Sequence, residues 1–123
     1  MEGVRRGDVV TIAVAGDYGK PRPALVVQAD AFEAIPSVTV LPLTSQLIEA
    51  SLVRITIPPA SANGLRAVSQ VMIDKAITVP RVRVGAVIGR LDADALRAVG
   101  SALSRFLDLE SQTRLPPPST RTT

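Results

Sequence analysis

The sequence contains neither cysteine nor histidine. Their absence removes disulfides, thiolate nucleophiles, His-based triads, imidazole bases and Cys/His zinc sites together. Any catalysis must draw on Arg, Lys, Asp, Glu, Tyr, Ser or Thr. Tryptophan is absent too, and the aromatic residues are Tyr18, Phe32 and Phe106. A platform that stacks successive bases needs more rings than that, which argues against a general single-strand binder. No apolar run approaches the roughly 18 to 20 residues of a membrane span. The opening MEGVRRGD carries two arginines but no apolar stretch of the kind a secretory signal needs. These features predict a cytoplasmic protein with no membrane partner.

What is present fits one domain. The chain has 123 residues, 46% of them apolar, enough for a core without metal or disulfide staples. Its formal net charge is +3, from 14 basic residues, mostly arginine, against 11 acidic ones. That balance is compatible with phosphate binding and proves nothing alone.

The first ninety residues read mostly as short strands. Asp8 to Val14 is β-branched, Ala15 to Pro23 is dense in turn residues, and Pro23 to Gln28 is a short apolar run. Ala29 to Pro36 has room for one helical turn. In Ser37 to Ser45, Val38, Val40 and Pro42 alternate with Thr39 and Leu41, and Pro42 is expected to end ladder pairing. Val53, Ile55 and Ile57 alternate with Leu52, Arg54 and Thr56, as in a half-exposed strand. Asn63-Gly64 marks a turn; Ala67 to Val79 reads as a strand bent near Asp74, and Val84 to Leu91 as the last strand. Strands at this spacing suggest a small antiparallel barrel, mainly β, rather than a βαβ sheet.

A helix is predicted from Ala93 to Leu109. Asp92 is a good N-cap, Asp94 suits the helix dipole, and Leu91 can pack on Leu96. Leu96, Val99, Leu103 and Leu107, with Phe106 beside them, form one apolar stripe to lie on the barrel. Residues 111–123 are proline-rich and polar and are read as a disordered tail after a folded domain spanning 1–110.

The acids are scattered apart from Asp92/Asp94 and Asp108/Glu110, which suit the two helix ends. Neither metal nor cofactor is expected, since a metal site gathers several carboxylates. Phosphate chemistry remains open to such a chain if the substrate brings its own nucleophile, as the 2′-OH of RNA does. Arg22, set between Pro21 and Pro23, is a candidate phosphate clamp, because a guanidinium fork binds two oxygens at once; the alternative is a surface charge. Thr44 and Ser45 offer hydroxyls to a phosphate or sugar, or else cap a turn. Asp74 and Lys75 form an ordinary ion pair or touch bases.

In order along the chain come R-G-D-V-V (Arg6 to Val10), G-K-P-R-P-A-L-V-V (Gly19 to Val27), V-L-P-L-T-S (Val40 to Ser45) and N-G-L-x-x-x-S-x-V-x-x-D (Asn63 to Asp74) with Thr78-Val79. This ordered set resembles the MazF/PemK family of bacterial toxins over about residues 5 to 109. The resemblance implies an SH3-like barrel with a C-terminal helix and a homodimer. It also implies metal-independent, sequence-specific cleavage of single-stranded RNA, and control by an acidic, partly disordered antitoxin of a type II pair. By it, Arg22 and Thr44 are the catalytic pair: Arg22 a general acid or base and phosphate clamp, Thr44 a support for the scissile phosphate. Asp17, Tyr18 and Lys20 in the first loop would contact substrate, with Ser45, Asp74 and Lys75. The chain departs from some members in lacking a loop histidine, in Met72 where an arginine can stand, and in Lys75 where glutamine is frequent.

Two other readings use the same fold. A gyrase-binding poison like the CcdB toxins relies on aromatic and small residues at the end of its last helix, where this chain has LDLESQTRLPPP. A non-catalytic SH3-like adaptor wants an aromatic-lined groove, hard to build from three rings.

Overall fold

The computed structural model describes residues 3–13 and 20–109. The predicted tail and the loop residues Asp17 and Tyr18 lie outside the described residues. Among the described residues seven strands, β1 (Asp8–Ala13), β2 (Pro21–Val26), β3 (Ser37–Thr44), β4 (Arg54–Ile57), β5 (Ser69–Met72), β6 (Ile77–Pro80) and β7 (Val84–Arg90), precede the helix α1 (Ala93–Phe106). Every pairing is antiparallel. The order across the sheet is β4-β5-β3-β2-β1-β7, with β6 on β3 beside this path. The expected barrel is therefore an open sheet in its hydrogen bonding: β4 and β7 are its two ends. The loop between β4 and β5 approaches β7 instead, the Arg90 amide donating to the Ala62 carbonyl at 2.8 Å. No helix among the described residues is long and apolar enough to cross a membrane.

The prolines decide where the ladders stop. The Val27 amide donates to the Thr39 carbonyl and the Gly7 amide to the Val26 carbonyl. Odd-numbered residues of β2 thus face β3 and even-numbered ones face β1. Pro21 and Pro23 have no N–H to give β3, and the β2–β3 ladder stops at Ala24↔Pro42, while β1 pairs on to Pro21. The strand accordingly begins at Pro21, two residues before its predicted start. Pro42 ends that same ladder, yet β3 runs on to Thr44. On its other edge β3 pairs with β6 through Val40 and with β5 from Leu43, so the amide missing from Pro42 falls at the handover.

Apolar side chains fill both faces of the central strands. Val9, Leu25, Leu41, Val71, Ile73 and Val99 belong to a cluster beneath α1, and Val10, Ile12, Val26, Val38 and Val40 to a second one. The alternation predicted for Ser37 to Ser45 changes phase at Leu41, because the strand passes from one cluster to the other. Each fully buried valine or leucine contributes about 1.5–3 kcal/mol relative to exposure.

The helix begins as expected: the Asp92 carboxylate accepts from the Ala95 amide at 2.8 Å, and Leu91 and Leu96 share the cluster beneath α1. It ends at Phe106 instead of Leu109, with Asp108 at φ 58° just beyond. The apolar stripe is also shorter than predicted, since Phe106 and Leu107 are each 50% exposed. The bend near Asp74 is a 3-10 turn, Ile73–Lys75, dividing β5 from β6.

Candidate active site

The strand ends freed by Pro21 and Pro23 border a cleft of about 860 Å³. Arg22, Thr44 and Ser45 line it together, with Thr11, Gln46, Arg66 and Ser69. Continuing the β2–β3 register two residues past Ala24↔Pro42 sets Arg22 opposite Thr44, and opposite residues of an antiparallel pair project from the same face. The proline-flanked arginine and the strand-end threonine, 22 residues apart in the chain, thus meet because one sheet register carries both. The prolines fix the backbone on either side of Arg22 and keep β3 from zipping closed over it.

Thr44 is half-buried, and its Oγ1 accepts from the Gln46 amide at 3.1 Å. The turn-capping and phosphate-binding readings of this residue are compatible: accepting one bond leaves the hydroxyl hydrogen available to donate.

The facing wall is built by the Asn63-Gly64 turn. The buried Asn63 carboxamide accepts from the Ala60 and Leu65 amides and donates to the Pro58 carbonyl. Gly64 has φ +71°, and a Cβ there would stand 2.1 Å from the Ile88 carbonyl oxygen. Only glycine allows this close approach to β7, and the turn holds Leu65 and Arg66 at the rim of the cleft. Arg66 lies inside the N-G-L motif, but its place in the cleft follows from the packing of this turn on β7, which no local sequence signal reports. The described lining contains two guanidinium groups and no carboxylate, so the cleft suits an anion.

Asp74 and Lys75 do not line this cleft. They occupy the turn between β5 and β6 and pair with each other at 3.4 Å, which is the ion-pair alternative, while the second carboxylate oxygen of Asp74 is buried without a partner. Lys20 is exposed at the start of β2 and is likewise not in the lining. Among the described residues no three carboxylates are grouped to hold a metal ion.

Residues 5–107 match the model of the PemK-like, MazF-like toxins of type II toxin–antitoxin systems. The chain belongs to this family. A probable endoribonuclease MazF of Mycolicibacterium smegmatis is 47% identical over 107 residues, covering 86% of this chain and 98% of that protein. The Mycobacterium tuberculosis toxin MazF-mt6 superposes with a TM-score of 0.70 at 24% identity, over 82% of this chain and 96% of that one. A chain of the MazE–MazF structure from Deinococcus radiodurans does so with a TM-score of 0.72 at 23% identity, over 88% and 99%. The PemK/MazF fold is therefore this sheet with its C-terminal helix, and the family match favours the toxin-nuclease branch over the gyrase-binding alternative.

Proposed function

We propose that this chain is the toxin of a type II pair and a metal-independent endoribonuclease that cleaves single-stranded RNA at the Arg22–Thr44 cleft. The convergence of that pair in a cleft lined by guanidinium groups carries the reading. In it, the ribose 2′-OH attacks the adjacent phosphorus. The 2′-oxygen–phosphorus bond forms as the phosphorus–5′-oxygen bond breaks. One proton leaves the 2′-oxygen and one is added to the 5′-oxygen, giving a 2′,3′-cyclic phosphate and a 5′-OH. Arg22 holds two non-bridging oxygens, neutralises the charge that develops on them, and serves as general acid or base for one of the two proton transfers. Thr44 donates a hydrogen bond to the same phosphate. Stabilisation of this kind acts where charge appears in the transition state, so it raises the rate rather than merely tightening binding.

Ser45 and Arg66 extend the contact along the RNA backbone, and the first loop, with Asp17, Tyr18 and Lys20, contacts neighbouring nucleotides. Asp74 and Lys75, outside the cleft, touch RNA away from the scissile phosphate. The folded domain is 1–110, the protein acts in the cytoplasm as a homodimer, and an acidic antitoxin segment covers the basic cleft. The structures of an endoribonuclease in complex with its cognate antitoxin from a mycobacterial species and of MazE–MazF from Deinococcus radiodurans support that partner.

The test is incubation of the purified protein with a long single-stranded RNA in EDTA, with 5′-end mapping of the fragments. Discrete cuts at an unchanged rate in the chelator are expected. Cleavage abolished by EDTA and restored by magnesium would overturn the mechanism, and inhibition of gyrase supercoiling without RNA cutting would overturn the function.

A further inference from the structure

Next to the cleft, Gln70 of β5 is 94% buried by neighbours, its relative exposure being 6%. Its carboxamide is engaged on both sides. Oε1 accepts from the Ile48 amide at 3.1 Å, and Nε2 donates to the Ile48 carbonyl at 3.0 Å and to Thr56 Oγ1 at 3.2 Å. One side-chain amide thus clasps both backbone groups of Ile48 as a neighbouring strand would. Ile48's own side chain is 51% exposed, so packing contributes little to holding this segment.

The clasped segment is the one that leaves the active site. Gln70 is the register partner of Thr44 on one side and of Thr56 on the other. Arg22, Thr44, Gln70 and Thr56 therefore form one cross-strand row on a single face of the sheet. Past Thr44 the chain has no strand partner, and its next anchors are the Gln46 amide on Thr44 Oγ1 and the Gln70 clasp on Ile48. A loop pinned at Ile48 fixes the path of Ser45 and Gln46, and with it the rotamer at which the Thr44 hydroxyl can cap the turn and still donate into the cleft.

We propose that Gln70 is a positioning residue for RNA cleavage: its carboxamide clasps Ile48 and thereby sets the Thr44–Gln46 wall of the cleft opposite Arg22. This rests on the cleavage function proposed above. Gln70 does not touch the reacting phosphate; it acts through Thr44.

The experiment uses the full chain with Gln70→Leu, Gln70→Glu and Thr44→Ala, singly and combined. Gln70→Glu keeps the shape and the acceptor for the Ile48 amide but loses the donor to the Ile48 carbonyl. Each Gln70 variant should lower kcat at least tenfold while KM stays within about twofold, since the loop orients a transition-state contact and not the main binding surface. The loss should vanish in the Thr44→Ala background, because residues acting as a unit are not additive. Hydrogen exchange at the Ile48 amide should accelerate at least tenfold in Gln70→Leu, and this reads the clasp whether or not the protein cuts RNA. Should Gln70→Leu fail to fold, Gln70→Glu carries the same kinetic comparison. Unchanged exchange, unchanged kcat, or a loss that simply multiplies with Thr44→Ala would overturn the proposal. If the wild type cuts no RNA, the cleavage function fails, and the exchange result alone decides whether Gln70 holds the loop.

Discussion

Two arginine-bearing regions of this molecule differ in what surrounds them. In the R-G-D turn, Asp8 is buried. Its carboxylate accepts from the Arg5 amide at 2.8 Å and from Arg90 at 2.6 Å, while Arg90 also donates to the Arg6 carbonyl and Arg6 to that of Val27. Gly7, at φ +97°, permits the turn. Arg90 matches the Asp8 carboxylate within the fold, and the motif is a clamp that ties the chain entrance to β7. The cleft differs in composition and setting. Arg22 and Arg66 line it with no carboxylate among the described lining residues, beyond the point where two prolines stop the β2–β3 ladder. The same residue type ties the fold together at the chain entrance and lines an open cleft at the β2 and β3 strand ends.

That contrast is broken most severely if Arg22 proves to be structural. Arg22→Ala should reduce cleavage by about 10²–10³-fold, the usual cost of deleting one donor to a developing oxyanion, with thermal unfolding unchanged. The converse substitution belongs to the clamp. Asp8→Ala should cost about 2 kcal/mol of stability, since it removes two hydrogen bonds from a buried carboxylate, one of them to a charged partner. Half of Arg90 is already in water, so the residual charge stays solvated and the loss remains moderate; chemical denaturation measures it. Cleavage per folded molecule should change less than about twofold, as expected of a site with no shared partner. A smaller effect sharpens the cleft side. Arg66→Ala should raise KM several-fold with kcat retained, and the salt dependence of RNA binding should become shallower by about 0.7 in log–log slope for one lost phosphate contact. A kcat defect in Arg66→Ala would move that residue into the chemistry.

Much of this was legible in the sequence because the signals were local. The N-cap at Asp92, the turn at Asn63-Gly64, the bend at Asp74 and the strands themselves rest on residues within a few positions of each other. Arg22 and Thr44 were legible as a pair only through the ordered motifs, since no local rule says that two strands share a register. The rest was hidden by the same long-range geometry. Pro42 ends the β2–β3 ladder as its missing amide predicts, but β3 runs on to Thr44 because its other edge changes partners there. Phe106 and Leu107 continue a helical stripe that has no sheet left to cover it. Arg66 and Gln70 acquire their surroundings from a turn packed on β7 and from a loop crossing β5, neither of which periodicity reports.

Under the proposed function the substrate supplies the nucleophile and the Arg22–Thr44 cleft stabilises the charge its attack builds on the phosphate. Once a cut site has been mapped, a short RNA spanning it can be compared with the same RNA carrying one 2′-deoxynucleotide immediately 5′ to the scissile phosphate. The all-ribose strand should be cut to a 2′,3′-cyclic phosphate and a 5′-OH, and the substituted strand should remain whole at that position. Cutting of both at the same rate would contradict the account.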